Sequence, residues 1–242
     1  MPRELLSDKP IAVDERLIVA LDLATNEQAQ ALVEGLGDSV RFYKVGLELL
    51  MAGRYFELVS WLADSGKRVF ADVKLFDVPE TVARAVRQLR ERGAELATIH
   101  GNDAILEAAC RERKSLKILA VTVLTSLDAG DLRELGFSCD PAQLVLSRAR
   151  RALEIGCDGV ISSGLEARRL RESLGERLLI VTPGIRPVEN RPQDDQKRVV
   201  SLEEAFLNGA DHVVVGRPIH SAPDPRGAAE QMQARIARLF AG

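Results

Sequence analysis

Val69-Phe70-Ala71-Asp72-Val73-Lys74-Leu75-Phe76-Asp77-Val78-Pro79 passes from apolar residues into an acid, a base and a second acid, and then reaches a proline. Read as a strand over Arg68 to Lys74, its period of two puts Asp72 and Lys74 on one face and Val73 on the other. Asp77 falls just past the strand end, and the proline starts a helix. A lone Asp-x-Lys pair is usually a surface ion pair. Here the charges close an otherwise apolar strand and lead into a helix, which is where side chains of an α/β fold meet ligands.

Outward from this unit the pattern repeats. Short apolar runs occupy Leu17–Leu21, Phe42–Val45, Val69–Val73, Leu96–Ile99, Ile118–Val123, Gly159–Ile161, Leu179–Val181 and His212–Val215. Several are rich in Val and Ile without polar alternation, as expected of parallel strands buried on both faces. Amphipathic segments lie between them, among them Glu27–Leu36, Val78–Arg92, Ala104–Arg113, Pro141–Ile155 and Ala167–Leu174, many closed by Gly37, Gly93, Gly156 or Gly175. Eight strand–helix pairs predict a (β/α)8 TIM barrel. A doubly wound open sheet would not need eight units and usually carries a Gly-rich first turn, which is absent after Leu21. The 242 residues fit one barrel of about 250 residues, and no linker or low-complexity tract divides them, so residues 1–242 are expected to form a single barrel domain.

Composition narrows the partners. Lys+Arg 33 against Asp+Glu 36 leaves a net charge of -3, so no global basic field invites nucleic acid or an anionic membrane. Any phosphate site must be local. The three cysteines, Cys110, Cys139 and Cys157, have neither C-x-x-C spacing nor an even count, and they suggest reduced cytosolic thiols rather than a disulfide framework or zinc site. The first 13 residues lack a signal-length apolar core, and no segment approaches 18 apolar residues. The expectation is a cytoplasmic protein with no membrane partner.

Active sites of barrels lie where strands end and βα loops begin. The polar residues at those ends are Asp22, Lys44, Asp72, Lys74, His100, Thr125 with Ser126, the Pro183–Arg186 turn, and Gly216 with Arg217. Any one has an ordinary alternative: Asp22 could cap the next helix, and Ser126 could be a turn residue. Together they form two subsites. In an array of Lys44, Asp72, Lys74 and Asp77, an ammonium between carboxylates stays protonated, which suits Lys74 as proton donor to a developing carbanion. Arg186, two residues after Gly184, and Arg217, next to Gly216, fall in the loops after strands 7 and 8, the recurrent phosphate site of this fold. A phosphorylated substrate follows.

Leu21-Asp22, Phe42-Tyr43-Lys44-Val45-Gly46, Asp72-x-Lys74-x-x-Asp77-Val78-Pro79, Val121-Thr122-Val123-Leu124-Thr125-Ser126, Thr182-Pro183-Gly184-Ile185-Arg186-Pro187, Asp195-Gln196 and Val215-Gly216-Arg217-Pro218-Ile219 together resemble the orotidine 5'-monophosphate decarboxylases of the bacterial type. The resemblance runs from about Leu17 to the last helix. It implies a homodimeric (β/α)8 barrel that needs no metal or other cofactor and converts orotidine 5'-monophosphate to UMP in pyrimidine synthesis. It further implies that Asp22 and Lys44 contact the ribose hydroxyls and that Asp72 and Lys74 form the core of the array. Asp77 and Thr81 would be contributed from the partner subunit, Thr125 and Ser126 would lie at the pyrimidine, and Pro183, Arg186, Gln196, Gly216 and Arg217 would hold the phosphate. Phe76 stands where a histidine is common and Glu80 where an asparagine is common, departures that leave every charged member in place. His100 is expected to be a structural residue at a strand end. Two alternatives remain: the Mg-dependent keto-sugar-phosphate decarboxylases and hexulose-phosphate synthases, which share D-x-K-x-x-D but carry a carboxylate where Lys44 stands, and a catalytically silent phosphate-binding barrel.

Overall fold

A computed structural model describes residues 5–185 and 199–241. Arg186, Gln196 and the 187–198 segment, which reads as a lid in the sequence, lie outside the described residues. The chain begins with β1 (Leu17–Ala20), α1 (Asn26–Leu36), β2 (Phe42–Gly46), α2 (Leu47–Met51) and α3 (Tyr55–Asp64). It continues with β3 (Arg68–Leu75), α4 (Pro79–Glu91), β4 (Leu96–Ile99), α5 (Asp103–Glu112), β5 (Lys117–Val121), α6 (Ala129–Glu134) and α7 (Pro141–Ile155). β6 (Gly159–Ile161), α8 (Gly164–Leu174), β7 (Leu179–Thr182), α9 (Leu202–Leu207), β8 (His212–Val215), α10 (Arg217–His220) and α11 (Pro225–Phe240) complete it. The eight strands are parallel, neighbours in sequence pair in order, and β8 pairs with β1 to close the barrel. The eight expected strand–helix pairs are present, and α2, α6 and α10 are additional short helices in the βα loops.

Local chemistry explains the helix starts. Thr25 accepts the Gln28 N–H at 3.2 Å, Asn102 accepts that of Ile105 at 3.3 Å, and Asp140 accepts that of Gln143 at 3.0 Å. Proline opens α4, α7 and α11, where its missing N–H costs nothing. Thr25, and not Asp22, is the cap of α1, which leaves Asp22 available to the site.

Alternation along the strands builds the interior. Ile18, Phe42, Phe70, Leu96, Leu119, Ile161, Val181 and Val214 fill the inside of the barrel, while Val19, Tyr43, Val45, Val69 and Ala71 face the helices. Two residues further along the same inward rows, Phe42 gives way to Lys44, Phe70 to Asp72 and Leu96 to Thr98. One strand step therefore separates a dry plug from a polar mouth, and the plug denies water access to the mouth from below.

Candidate active site

A cavity of about 570 Å³ opens at the C-terminal ends of the strands. Asp22, Lys44, Asp72, Lys74, Thr125, Ser126, Pro183, Gly216 and Arg217, nine of the expected site residues, all line it. Lys44 Nζ lies 2.8 Å from Asp22 Oδ1 and 3.6 Å from Asp72 Oδ2, and Lys74 Nζ lies 2.9 Å from Asp72 Oδ1. The charges thus alternate as Asp22, Lys44, Asp72, Lys74. Burial disfavours the Asp72 carboxylate, but Lys44, Lys74 and the Thr98 hydroxyl outweigh it and hold its pKa below the usual range. Burial likewise works against the Lys44 ammonium, and Asp72 and Asp22 reverse the effect and raise its pKa. Both are consequently held in their charged forms near neutral pH.

Regular strand geometry does not by itself deliver Lys74. Asp72 and Lys74 do meet, as the period of two predicts, but the pairing of β3 with β4 shifts register between Ala71 and Leu75, and Lys74 adopts φ 48°. A lysine in the left-handed region is uncommon and carries strain. Thr98, fully buried on β4, holds this turn: its Oγ1 accepts the Lys74 N–H at 2.9 Å and donates to Asp72 Oδ1 at 2.9 Å. Gly46 is constrained in another way, because a Cβ there would lie 3.0 Å from Lys44 Nζ and displace the ammonium.

Asp77 and Thr81 are not brought to this cavity. Asp77 is exposed, its Oδ1 accepting the Val78 N–H at 2.6 Å, and Thr81 Oγ1 accepts from Arg84 at 3.2 Å. His100 also lies off the cavity. Its ring meets Phe76 edge-on at 5.2 Å, Nδ1 has no hydrogen-bond partner among the described residues, and burial followed by the Arg148 charge lowers its pKa. Thr98, Glu48 and His220 are site residues that the sequence reading missed, the last two lining the cavity. A lone threonine inside Leu96-Ala97-Thr98-Ile99 was the available signal for the first. Among the described residues no helix is long and apolar enough to cross a membrane.

Residues 15–232 match the Orotidine 5'-phosphate decarboxylase / HUMPS family. An orotidine 5'-phosphate decarboxylase of Methylococcus capsulatus is 64% identical over 236 residues, 98% of each chain. That of Nitrobacter winogradskyi is 50% identical, covering 89% of this chain and 90% of the relative. Among solved structures, the crystal structure of orotidine 5'-phosphate decarboxylase from Lactobacillus acidophilus superposes with a TM-score of 0.80 at 35% identity, over 92% of this chain and 99% of that one.

Proposed function

We propose, for a chain that belongs to the Orotidine 5'-phosphate decarboxylase / HUMPS family, the decarboxylation of orotidine 5'-monophosphate to UMP, a step of pyrimidine biosynthesis. The observation that carries this reading is the alternating Asp22, Lys44, Asp72, Lys74 row on one wall of the mouth, facing Thr125 and Ser126 on the β5 loop and Gly216 and Arg217 beyond β8. Loss of carbon dioxide from C6 of the pyrimidine leaves a vinyl carbanion that the ring does not delocalise, so stabilisation must be electrostatic. The Lys74 ammonium places positive charge against C6 as negative charge develops there. Asp72 lies near the departing carboxylate and disfavours the ground state. Lys74 then delivers its proton to C6, replacing carboxylate by hydrogen.

The remaining roles follow the cavity. Asp22 and Lys44 bind the ribose hydroxyls, Thr125 and Ser126 meet the pyrimidine, and Pro183, Gly216 and Arg217 hold the phosphate with Arg186 and Gln196. Phosphate binding far from C6 supplies energy that helps assemble the reacting geometry. No metal is called for, because the Lys44 ammonium already stands between Asp22 and Asp72, where a divalent cation would need the two carboxylates.

The unit of function is a homodimer of single-domain barrels in which Asp77 and Thr81 complete the partner's site. Its support is the exposed position of Asp77 between Phe76, 68% exposed, and Val78, 63% exposed, with Leu47 and Met51 also exposed on α2 after the adjacent strand. Four exposed large apolar side chains on the loops after two neighbouring strands suit cover by a second copy. A net charge of -3 and three free thiols suit a cytoplasmic enzyme whose partners are its nucleotide and its own copy, without nucleic acid or membrane. The test is the decline of orotidine monophosphate absorbance with and without EDTA. Turnover unaffected by the chelator is expected; loss restored by Mg2+ would move the assignment to the metal-dependent members of the barrel group.

A further inference from the structure

We propose that His220 is a phosphate ligand, its Nε2–H donating to a 5'-phosphate oxygen of the nucleotide beside Gly216 and Arg217. The inference rests on the nucleotide reading above and adds a residue that none of the sequence motifs contains. His220 ends α10, the one-turn helix that follows β8, and lines the cavity together with Gly216, Arg217 and Asp22. Its N–H donates to the Gly216 carbonyl at 3.1 Å, so the turn closes on the glycine. A Cβ built on Gly216 would lie 3.7 Å from His220 Nε2, 3.5 Å from Asp22 Oδ2 and 3.6 Å from the Ala20 Cβ. Gly216 is therefore the base of a notch with an imidazole on one wall and a carboxylate on the other.

The two walls favour different parts of a ligand. The Asp22 carboxylate accepts hydrogen bonds and repels anions, which suits sugar hydroxyls. On the other wall His220 Nδ1 lies 3.0 Å from Ser221 Oγ. With the serine hydroxyl donating to Nδ1, the ring proton sits on Nε2, the nitrogen turned toward the notch. A donor beside the exposed Arg217 guanidinium suits an anion. A hydroxyl-bearing sugar joined to a phosphate spans the notch in one orientation only, with the sugar toward Asp22 and the phosphate toward His220.

The experiment measures binding of UMP, uridine and inorganic phosphate to the full chain by calorimetry, alongside orotidine monophosphate kinetics. For His220→Ala, UMP affinity should fall about tenfold, the scale of a hydrogen bond to a charged group, with inorganic phosphate weakened too and uridine within about twofold of wild type. KM for orotidine monophosphate should rise by more than kcat falls. His220→Gln, whose carboxamide can donate from a similar place, should recover most of the UMP affinity. Equal losses for UMP and uridine would make His220 a structural residue and overturn the proposal, as would unchanged UMP affinity in a wild-type background that turns over substrate. A wild-type chain that does not convert orotidine monophosphate would instead overturn the functional reading, and this inference with it.

Discussion

A fully buried carboxylate and a partly buried one sit at opposite ends of this barrel, and they are held in different ways. Asp211, just before β8, has a side chain 0% exposed. Its oxygens accept from Ser7, from Lys9 at 3.2 Å, from Arg171 at 2.9 Å and from the Ile180 N–H at 2.7 Å. Burial disfavours its charge, but Arg171 and Lys9 outweigh burial and lower its pKa. Asp72 is 13% exposed, and its pKa is lowered through the same balance, but both of its ammonium partners also line an open cavity. The Asp211 network ties the N-terminal segment to α8 and the floor of the barrel, and none of its described members lines the cavity at the mouth. An ion network is therefore informative about chemistry when its members front a cavity, while complete satisfaction in a closed site marks a brace.

The largest effect should come from the mouth. Lys74→Ala removes both the proton donor and the cation facing C6, so turnover should fall by about 10^4-fold or more while the fold is largely kept. Activity within tenfold of wild type would remove Lys74 as the donor. The same variant tests the shared site when mixed with inactive Asp77→Ala. Random exchange makes half the dimers mixed, each with one intact site of two, so about a quarter of wild-type activity should return. No return despite demonstrated subunit exchange would confine Asp77 to its own barrel.

Thr98→Val should have a smaller effect. The substitution keeps volume but removes the hydroxyl that braces Asp72 and the Lys74 backbone, so kcat should drop by roughly 10- to 100-fold with KM little changed. An unchanged kcat would mean that β3 holds Lys74 in place without β4.

The floor should respond to pH through a buried histidine. Burial pushes His212 down to about 4 despite the nearby Asp211. A folded value below the unfolded one means that the neutral ring favours the fold. Its contribution is complete above about pH 6.5 and is lost as pH falls toward 4, roughly 3 kcal/mol in all. Urea unfolding between pH 7 and 4 should show this excess loss in wild type and not in His212→Gln. Parallel curves would contradict the assignment.

The sequence exposed the two ends unequally. The mouth was legible because parallel strands are apolar along most of their length, so charges at Asp22, Lys44, Asp72 and Lys74 stand out where each run stops. The eight runs made the barrel legible in the same way, with boundaries moving by two residues at most. The left-handed turn at Lys74 was not legible, since it depends on Thr98 across the sheet, and α2, with five residues, is too short to display a period. Nor was the Asp211 brace, whose members Ser7, Arg171 and Asp211 are brought together from positions as far apart as 204 residues. His220 was overlooked because the motif preceding it ends at Ile219.

One paired measurement addresses the contrast directly: Asp72→Asn and Asp211→Asn, the same chemical change at the two ends, each read for kcat per folded molecule and for Tm. Asp72→Asn is expected to lose turnover by at least about 10^2-fold with Tm within about 3 °C of wild type. Asp211→Asn, which leaves Arg171 and Lys9 without their buried carboxylate, is expected to lower Tm by about 10 °C and leave kcat within about threefold. Equal losses of turnover and stability in both variants, or an active Asp72→Asn enzyme, would contradict the division between a reacting mouth and a structural floor.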